Sequence, residues 1–166
     1  MRIFGVIGWK NSGKTHLMVR LVSEITSRGF TVSTIKHAHH SIEFTTLDEE
    51  GCELRPPGVQ EAVFASPTRW SLVRERLADE DDSLDELVAR LQPVDLVLIE
   101  GYKLEHHPKI EAYRQGSTRD LIAREDKKIV GIATDAPPEG FDVPVFDLND
   151  TIGIADFILG YVGLKG

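Results

Sequence analysis

Cysteine is nearly absent from this chain: Cys52 is the only one in 166 residues. No intrachain disulfide can form, which fits a reducing compartment. Long apolar runs are also missing. None approaches the roughly 18 residues of a membrane span, so no membrane partner is expected. The opening Met1–Ile7 resembles a signal peptide for only a few residues before Lys10, Asn11 and Lys14 interrupt it. It reads instead as a strand, and a cytoplasmic location is the default expectation. Positive charge is in deficit, with 19 Lys and Arg against 27 Asp and Glu, a net charge of −8. That balance disfavours nonspecific nucleic-acid binding, so no nucleic-acid partner is expected. There is no internal repeat and no low-complexity segment.

What is present describes an ordinary globular chain, 41% hydrophobic and 28% charged. The length predicts a single domain spanning 1–166 with one sizeable core. Arg2–Ile7 reads as a strand ending at Gly8. Leu17, Met18, Leu21, Val22 and Ile25 then recur at helical spacing, with Gly29 closing the helix. Thr31–Ile35 is β-branched and reads as a second strand, completing a βαβ unit with parallel strands. Residues 38–58 form an irregular stretch, and a long loop of this kind is usually functional or mobile. Val59–Ala65 and Arg69–Arg74, joined by Ser66-Pro67-Thr68, suggest a hairpin.

Ser83-Leu84-Asp85-Glu86 matches a capping box ahead of Leu84, Leu87, Val88 and Leu91, and Pro93 stops that helix. Leu96–Ile99, bracketed by Asp95 and Glu100, suits a central strand buried on both faces. Lys109–Tyr113, Ile129–Ala133 and Val143–Phe146 read as further strands. Asn149 or Asp150 caps a terminal helix carrying Ile154, Phe157, Ile158 and Tyr161. The alternation predicts an α/β fold: a three-layer sandwich with a mainly parallel sheet and an antiparallel hairpin extension.

Gly8-Trp9-Lys10-Asn11-Ser12-Gly13-Lys14-Thr15 satisfies G-x-x-x-x-G-K-[ST] at every fixed position. A chance match in a chain this long is on the order of one per cent or less. Its place between a strand and an amphipathic helix makes it a P-loop, and the fold a P-loop NTPase. The glycines let the backbone turn sharply and approach phosphate. Backbone N–H groups of Asn11, Ser12, Gly13, Lys14 and Thr15 would form an anion nest at a helix N-terminus. Lys14 would reach the β- and γ-phosphates, and the Thr15 hydroxyl would coordinate Mg²⁺.

Such a site needs an acidic partner at a neighbouring strand end. Ligands gather at the carboxyl ends of parallel strands, which selects Glu100 over Asp95 as the metal-proximal carboxylate. The bland alternative is an acid that only caps the following loop. Lys36-His37-Ala38-His39-His40 follows the second strand, also at its carboxyl end. These imidazoles suit substrate or phosphate contact first, a solvated loop second and a dedicated metal site third. His106 and His107 have a weaker claim, and His16 is local to its helix.

Several segments occur together in one order: the P-loop, Ile35–His40, Glu53-Leu54-Arg55, Leu98-Ile99-Glu100-Gly101-Tyr102-Lys103, Pro108-Lys109-Ile110 and Ile132-Ala133-Thr134-Asp135. Over nearly its whole length the chain resembles the family of molybdopterin-guanine dinucleotide biosynthesis adaptor proteins, the B proteins of that pathway. The resemblance implies a homodimeric GTP-binding protein with weak GTPase activity that assists a molybdenum cofactor guanylyltransferase. It implies GTP and Mg²⁺ as cofactors, with molybdopterin as a further bound ligand. By position, Asn11–Thr15 would hold the phosphates and Thr15 with Glu100 the Mg²⁺. Lys14 and Glu100 would carry the catalytic roles. Lys36, His37, His39, His40 and Lys103 would line the site. Asp135 is a candidate for accepting the N1–H and N2–H₂ donors of guanine, or else a turn residue before Ala136-Pro137-Pro138. The family usually carries a Gly-Lys-Asp-Ser-like stretch where this chain has Asp48-Glu49-Glu50-Gly51. A Lys/Glu-Ala-Gly run is likewise replaced by Pro56-Pro57-Gly58.

Two other classes fit the P-loop. A small-molecule kinase would use residues 114–126, with Arg114, Arg119 and Arg124, as an arginine-bearing lid. A metallochaperone GTPase would use the histidines. Slow hydrolysis is expected because no arginine finger is evident in the sequence, unless Arg55 or Arg69 is supplied across a dimer.

Overall fold

The alternating strand and helix periods build one parallel sheet, in a computed structural model that describes residues 1–37, 61–68, 70–74, 82–117 and 119–164. The elements in chain order are β1 (Arg2–Ile7), α1 (Lys14–Ser27), β2 (Val32–Lys36), β3 (Glu61–Ala65), β4 (Trp70–Arg74), α2 (Leu84–Ala89) and β5 (Leu96–Glu100). There follow β6 (Lys109–Tyr113), a single 3-10 turn (Ile122–Arg124), β7 (Ile129–Thr134), β8 (Val145–Asp147) and α3 (Thr151–Tyr161). Chain contacts divide these into two compact units: Met1–Ala38 with Leu84–Gly166, and His39–Ser83.

The first unit holds a six-stranded sheet in the order β2-β5-β1-β6-β7-β8, with every pairing parallel. β5 is buried at all five positions, as its continuous apolar run requires. Successive residues serve opposite faces. Leu96 and Leu98 join Phe4, Val6, Ile110 and Ala112 beneath α1 and α3. Val97 and Ile99 join Ile3, Ile35 and α2 through Leu84 and Val88. This is the expected three-layer sandwich. α1 buries Leu17, Leu21 and Ile25 completely, each contributing about 1.5–3 kcal/mol of transfer free energy. Arg20 ties α1 to the start of α3, donating to the Thr151 hydroxyl at 2.9 Å and to the Leu148 carbonyl at 2.5 Å.

Asp95 sits at the amino edge of the sheet. Its carboxylate accepts from the Thr31 N–H and hydroxyl at 2.8 and 2.7 Å, fixing the start of β2 against β5. The terminal helix is capped by Asp150, which accepts from the Gly153 N–H at 2.9 Å. The second unit contributes an antiparallel hairpin, β3 with β4, in which Val63 pairs with Leu72. Several boundaries differ from the sequence reading, with β2 running Val32–Lys36 rather than Thr31–Ile35. α2 ends at Ala89, before the full apolar period is used. β8 begins at Val145, where β7 offers pairing partners from Ile132 onward.

Candidate functional site

Register brings the carboxyl ends of three strands to one level. Glu100 of β5 pairs with Val6 of β1 on one side and with Lys36 of β2 on the other. The P-loop leaves β1 there and feeds α1, whose first residue is Lys14. Gly8 has φ +149°, and a Cβ at that position would lie 2.3 Å from the Ala112 carbonyl oxygen and 2.5 Å from the Ser12 hydroxyl. Only glycine lets the loop lie this close to β6. Asn11 turns left-handed at φ 64°. The Ser12 hydroxyl is buried with no partner among the described residues.

Lys14 donates to the Trp9 carbonyl at 2.6 Å, folding its side chain back over the loop. Burial holds its ammonium below the ordinary lysine range. Glu100 opposes that shift, while Lys103 and Lys36 reinforce it. The Thr15 hydroxyl donates to Glu100 Oε1 at 2.8 Å. Lys36 Nζ stands 3.3 Å from that hydroxyl and 3.4 Å from Glu100 Oε2. Neighbouring ligands of an octahedral Mg²⁺ stand about 3 Å apart, so the Thr15–Glu100 oxygen pair fits that ion. The position already gathers positive charge, in the form of Lys36.

Beyond Glu100 the backbone takes two successive left-handed steps, Gly101 at φ 91° and Tyr102 at φ 53°. These return the chain over β2, where His37 and Tyr102 stack with centroids 4.6 Å apart. The His37 N–H donates to the Glu100 carbonyl at 2.9 Å. Lys103 stands over the Trp9 ring, 3.9 Å from its centroid. The geometry is thus an anion cradle with converging lysines and one metal-suited oxygen pair.

The family described as MobB, molybdopterin guanine dinucleotide synthesis protein B, matches residues 3–135. The chain belongs to the MobB family. It is 33% identical to the molybdopterin-guanine dinucleotide biosynthesis adapter protein of Escherichia coli (strain K12), over 93% of this chain and 89% of that protein. The adapter protein of Haemophilus influenzae is 34% identical over 94% and 86%. Among solved structures, the MobB homolog from Bacillus stearothermophilus covers 99% of this chain and 100% of its own, at 28% identity and TM-score 0.75. Bacillus subtilis MobB covers 100% and 99%, at 26% identity and TM-score 0.78.

Within this MobB-family chain, Asn11, Ser12, Gly13, Lys36, His37, Glu100 and Lys103 lie at the carboxyl ends of β1, β2 and β5 or in the loops that leave them, and Lys14 and Thr15 open α1. His39 and His40 lie outside the described residues, as do Asp48–Glu50, Arg55 and Arg69. Among the described residues no group of three or more His, Cys, Asp or Glu is placed to hold a metal ion. Asp135 follows β7 at the same sheet edge. Its Oδ1 accepts from the Gln115 N–H at 2.7 Å, so one carboxylate oxygen already braces the loop after β6.

Three residues were given no site role in the sequence reading. Trp9 is a platform for cations, with Arg119 4.3 Å from its centroid besides Lys103. Glu111 is fully buried and accepts from the N–H groups of Ile122 and Ala123 at 3.0 and 2.9 Å. Burial pushes its carboxyl above the usual range, against those two hydrogen bonds and Lys103. Lys109 is fully buried as well, and its ammonium donates to the carbonyls of Lys103 at 2.9 Å and Glu105 at 2.5 Å. The sequence signal was the alternation Lys109, Glu111 against Ile110, Ala112, which marks one polar face on an otherwise core strand.

Proposed function

We propose that this chain binds Mg²⁺–GTP at the P-loop, hydrolyses it slowly, and serves a guanylyltransferase in converting molybdopterin to its guanine dinucleotide form. The gathering of Lys14, Thr15 and Glu100 at the P-loop carries the reading. The adapter role rests on family membership and on the name borne by the curated relatives. Thr15 and Glu100 would hold Mg²⁺, which would neutralise charge on the β- and γ-phosphates. Lys14 and the nest N–H groups bind and orient those phosphates. Lys36 and His37 stand beside Glu100, and the resemblance would add His39 and His40 to them. There they suit a second anionic group, such as the phosphate of molybdopterin.

Asp135 keeps one oxygen for the guanine N–H donors, which adenine lacks in that arrangement. In hydrolysis water attacks the γ-phosphorus, the bond to the β-bridging oxygen breaks, and GDP and phosphate leave. Glu100 is suited to orient that water. The turnover is slow, and the chain acts as a homodimer in the cytoplasm. The test adds the purified chain to a guanylyltransferase supplied with molybdopterin and Mg²⁺–GTP. Formation of the dinucleotide cofactor should rise, and Lys14→Ala should remove the gain. Equal stimulation by that variant refutes a nucleotide-dependent adapter.

A further inference from the structure

Arg119 belongs to no part of the phosphate cradle by motif, yet the fold sets its guanidinium over the ring of Trp9, a P-loop residue. Trp9 is the second residue of the P-loop, and its carbonyl accepts from the Lys14 ammonium. Because the P-loop lysine reaches between the β- and γ-phosphates, groups beside that ammonium border the terminal-phosphate end. Two cations stand over the Trp9 ring, Lys103 Nζ at 3.9 Å and the Arg119 guanidinium carbon at 4.3 Å. Cations within about 6 Å of an indole centroid are held by its quadrupole, with the charge left free for another partner.

The placement is built rather than incidental. The Trp9 indole N–H donates to the Asp120 carbonyl at 2.9 Å, so the P-loop is latched to the segment that carries Arg119. The far side of that segment is pinned to β6, because the buried Glu111 carboxylate takes the N–H groups of Ile122 and Ala123. Lys103 and Arg119 repel each other closely enough to lower the Lys103 ammonium further after burial. Among the described residues neither has a carboxylate within ion-pairing distance. Glu111 attracts Lys103 but already accepts from the Ile122 and Ala123 N–H groups, so the two cations on the ring keep capacity for a further anion.

We propose that Arg119 is a nucleotide ligand supplied by the same chain, held on Trp9 so that it reads the terminal phosphate and favours GTP over GDP. This rests on the nucleotide reading above and deepens it. The guanidinium replaces its contact with the ring by charge-assisted hydrogen bonds to the γ-phosphate oxygens. The diphosphate cannot offer that contact. A GTP-loaded chain is thereby distinguished from a GDP-loaded one at the 119–124 segment.

The test titrates full-length wild type, Arg119→Ala and Arg119→Lys with Mg²⁺–GTP and with Mg²⁺–GDP. Arg119 is exposed, so truncating it leaves the core untouched. Arg119→Ala should weaken GTP about tenfold or more, the loss expected for a charged hydrogen bond, and change GDP by less than about threefold. Arg119→Lys should recover part of the GTP loss. Unchanged GTP affinity, or equal loss for both nucleotides, overturns the assignment while leaving the P-loop reading intact. A wild-type chain that binds neither nucleotide overturns both.

Discussion

Replacing Lys109 by Met should destabilise the protein far more than an ordinary lysine change. The side chain is fully buried on β6. Its ammonium satisfies the Lys103 and Glu105 carbonyls and stands 3.5 Å from Asp126 Oδ2. Methionine keeps the stem's volume and removes the charge, so no large cavity enters the sum. Each charge-assisted bond is worth about 1.5–3 kcal/mol, and a buried acceptor left unmatched costs about 1–3 kcal/mol. The lost desolvation penalty of the ammonium offsets part of this. A net loss of about 3 kcal/mol follows. For a chain of this size that lowers Tm by about 6–12 °C. Urea unfolding followed by circular dichroism, with a thermal scan beside it, measures both. A loss below about 1 kcal/mol would refute the view that Lys109 fastens the Lys103–Glu105 loop to the sheet.

Two further outcomes follow from the same geometry. Gly8→Ala places a Cβ 2.3 Å from the Ala112 carbonyl oxygen of a central strand, which cannot recede. The overlap and the positive φ together should cost about 2–4 kcal/mol by chemical denaturation, with nucleotide binding lost. His107 is packed over Gly5, with both ring nitrogens buried and unpartnered among the described residues. Burial, reinforced by Lys109, lowers its pKa from the ordinary 6.5 to about 4. The unfolded chain therefore binds a proton that the native chain refuses between these values. Stability from this group is complete above about pH 6.5 and falls as the pH drops toward 4. Urea midpoints measured across that range should decline in wild type and flatten in His107→Phe; parallel curves would contradict the assignment.

Much of this was legible because the signals were local. The β1–loop–α1 motif carries its own strand, glycines and amphipathic period, and Glu100 ends an apolar run whose burial on both faces dictates a central strand. Asn149-Asp150 announced a helix start, and Asp150 proved to be the cap. The charged residues of β6 were not legible in the same way. Lys109 and Glu111 alternate with Ile110 and Ala112, which on a two-faced strand ordinarily means one face in water. Here that face is covered by the loop after β5 and by the segment around Ile122, both irregular and distant in sequence. Their contacts are made through carbonyls and N–H groups, which every residue has, so no residue type betrays them. Trp9 was invisible for a related reason. It occupies an unconstrained position of the P-loop, and its partners Lys103 and Arg119 come from two separate loops. The hairpin was readable from its turn and its alternation. His39, His40 and the acidic stretch between β2 and β3 lie outside the described residues, so the roles assigned to those two histidines rest on the sequence pattern and the resemblance.

The most direct test of the central claim is calorimetric titration of the purified chain with GTP and ATP, each with Mg²⁺, alongside Lys14→Ala. One GTP site per chain is expected, with weaker binding of ATP and no measurable binding in the variant at unchanged Tm. Equal affinity for the two nucleotides would contradict the guanine reading. Undiminished GTP binding by Lys14→Ala would contradict the P-loop site itself.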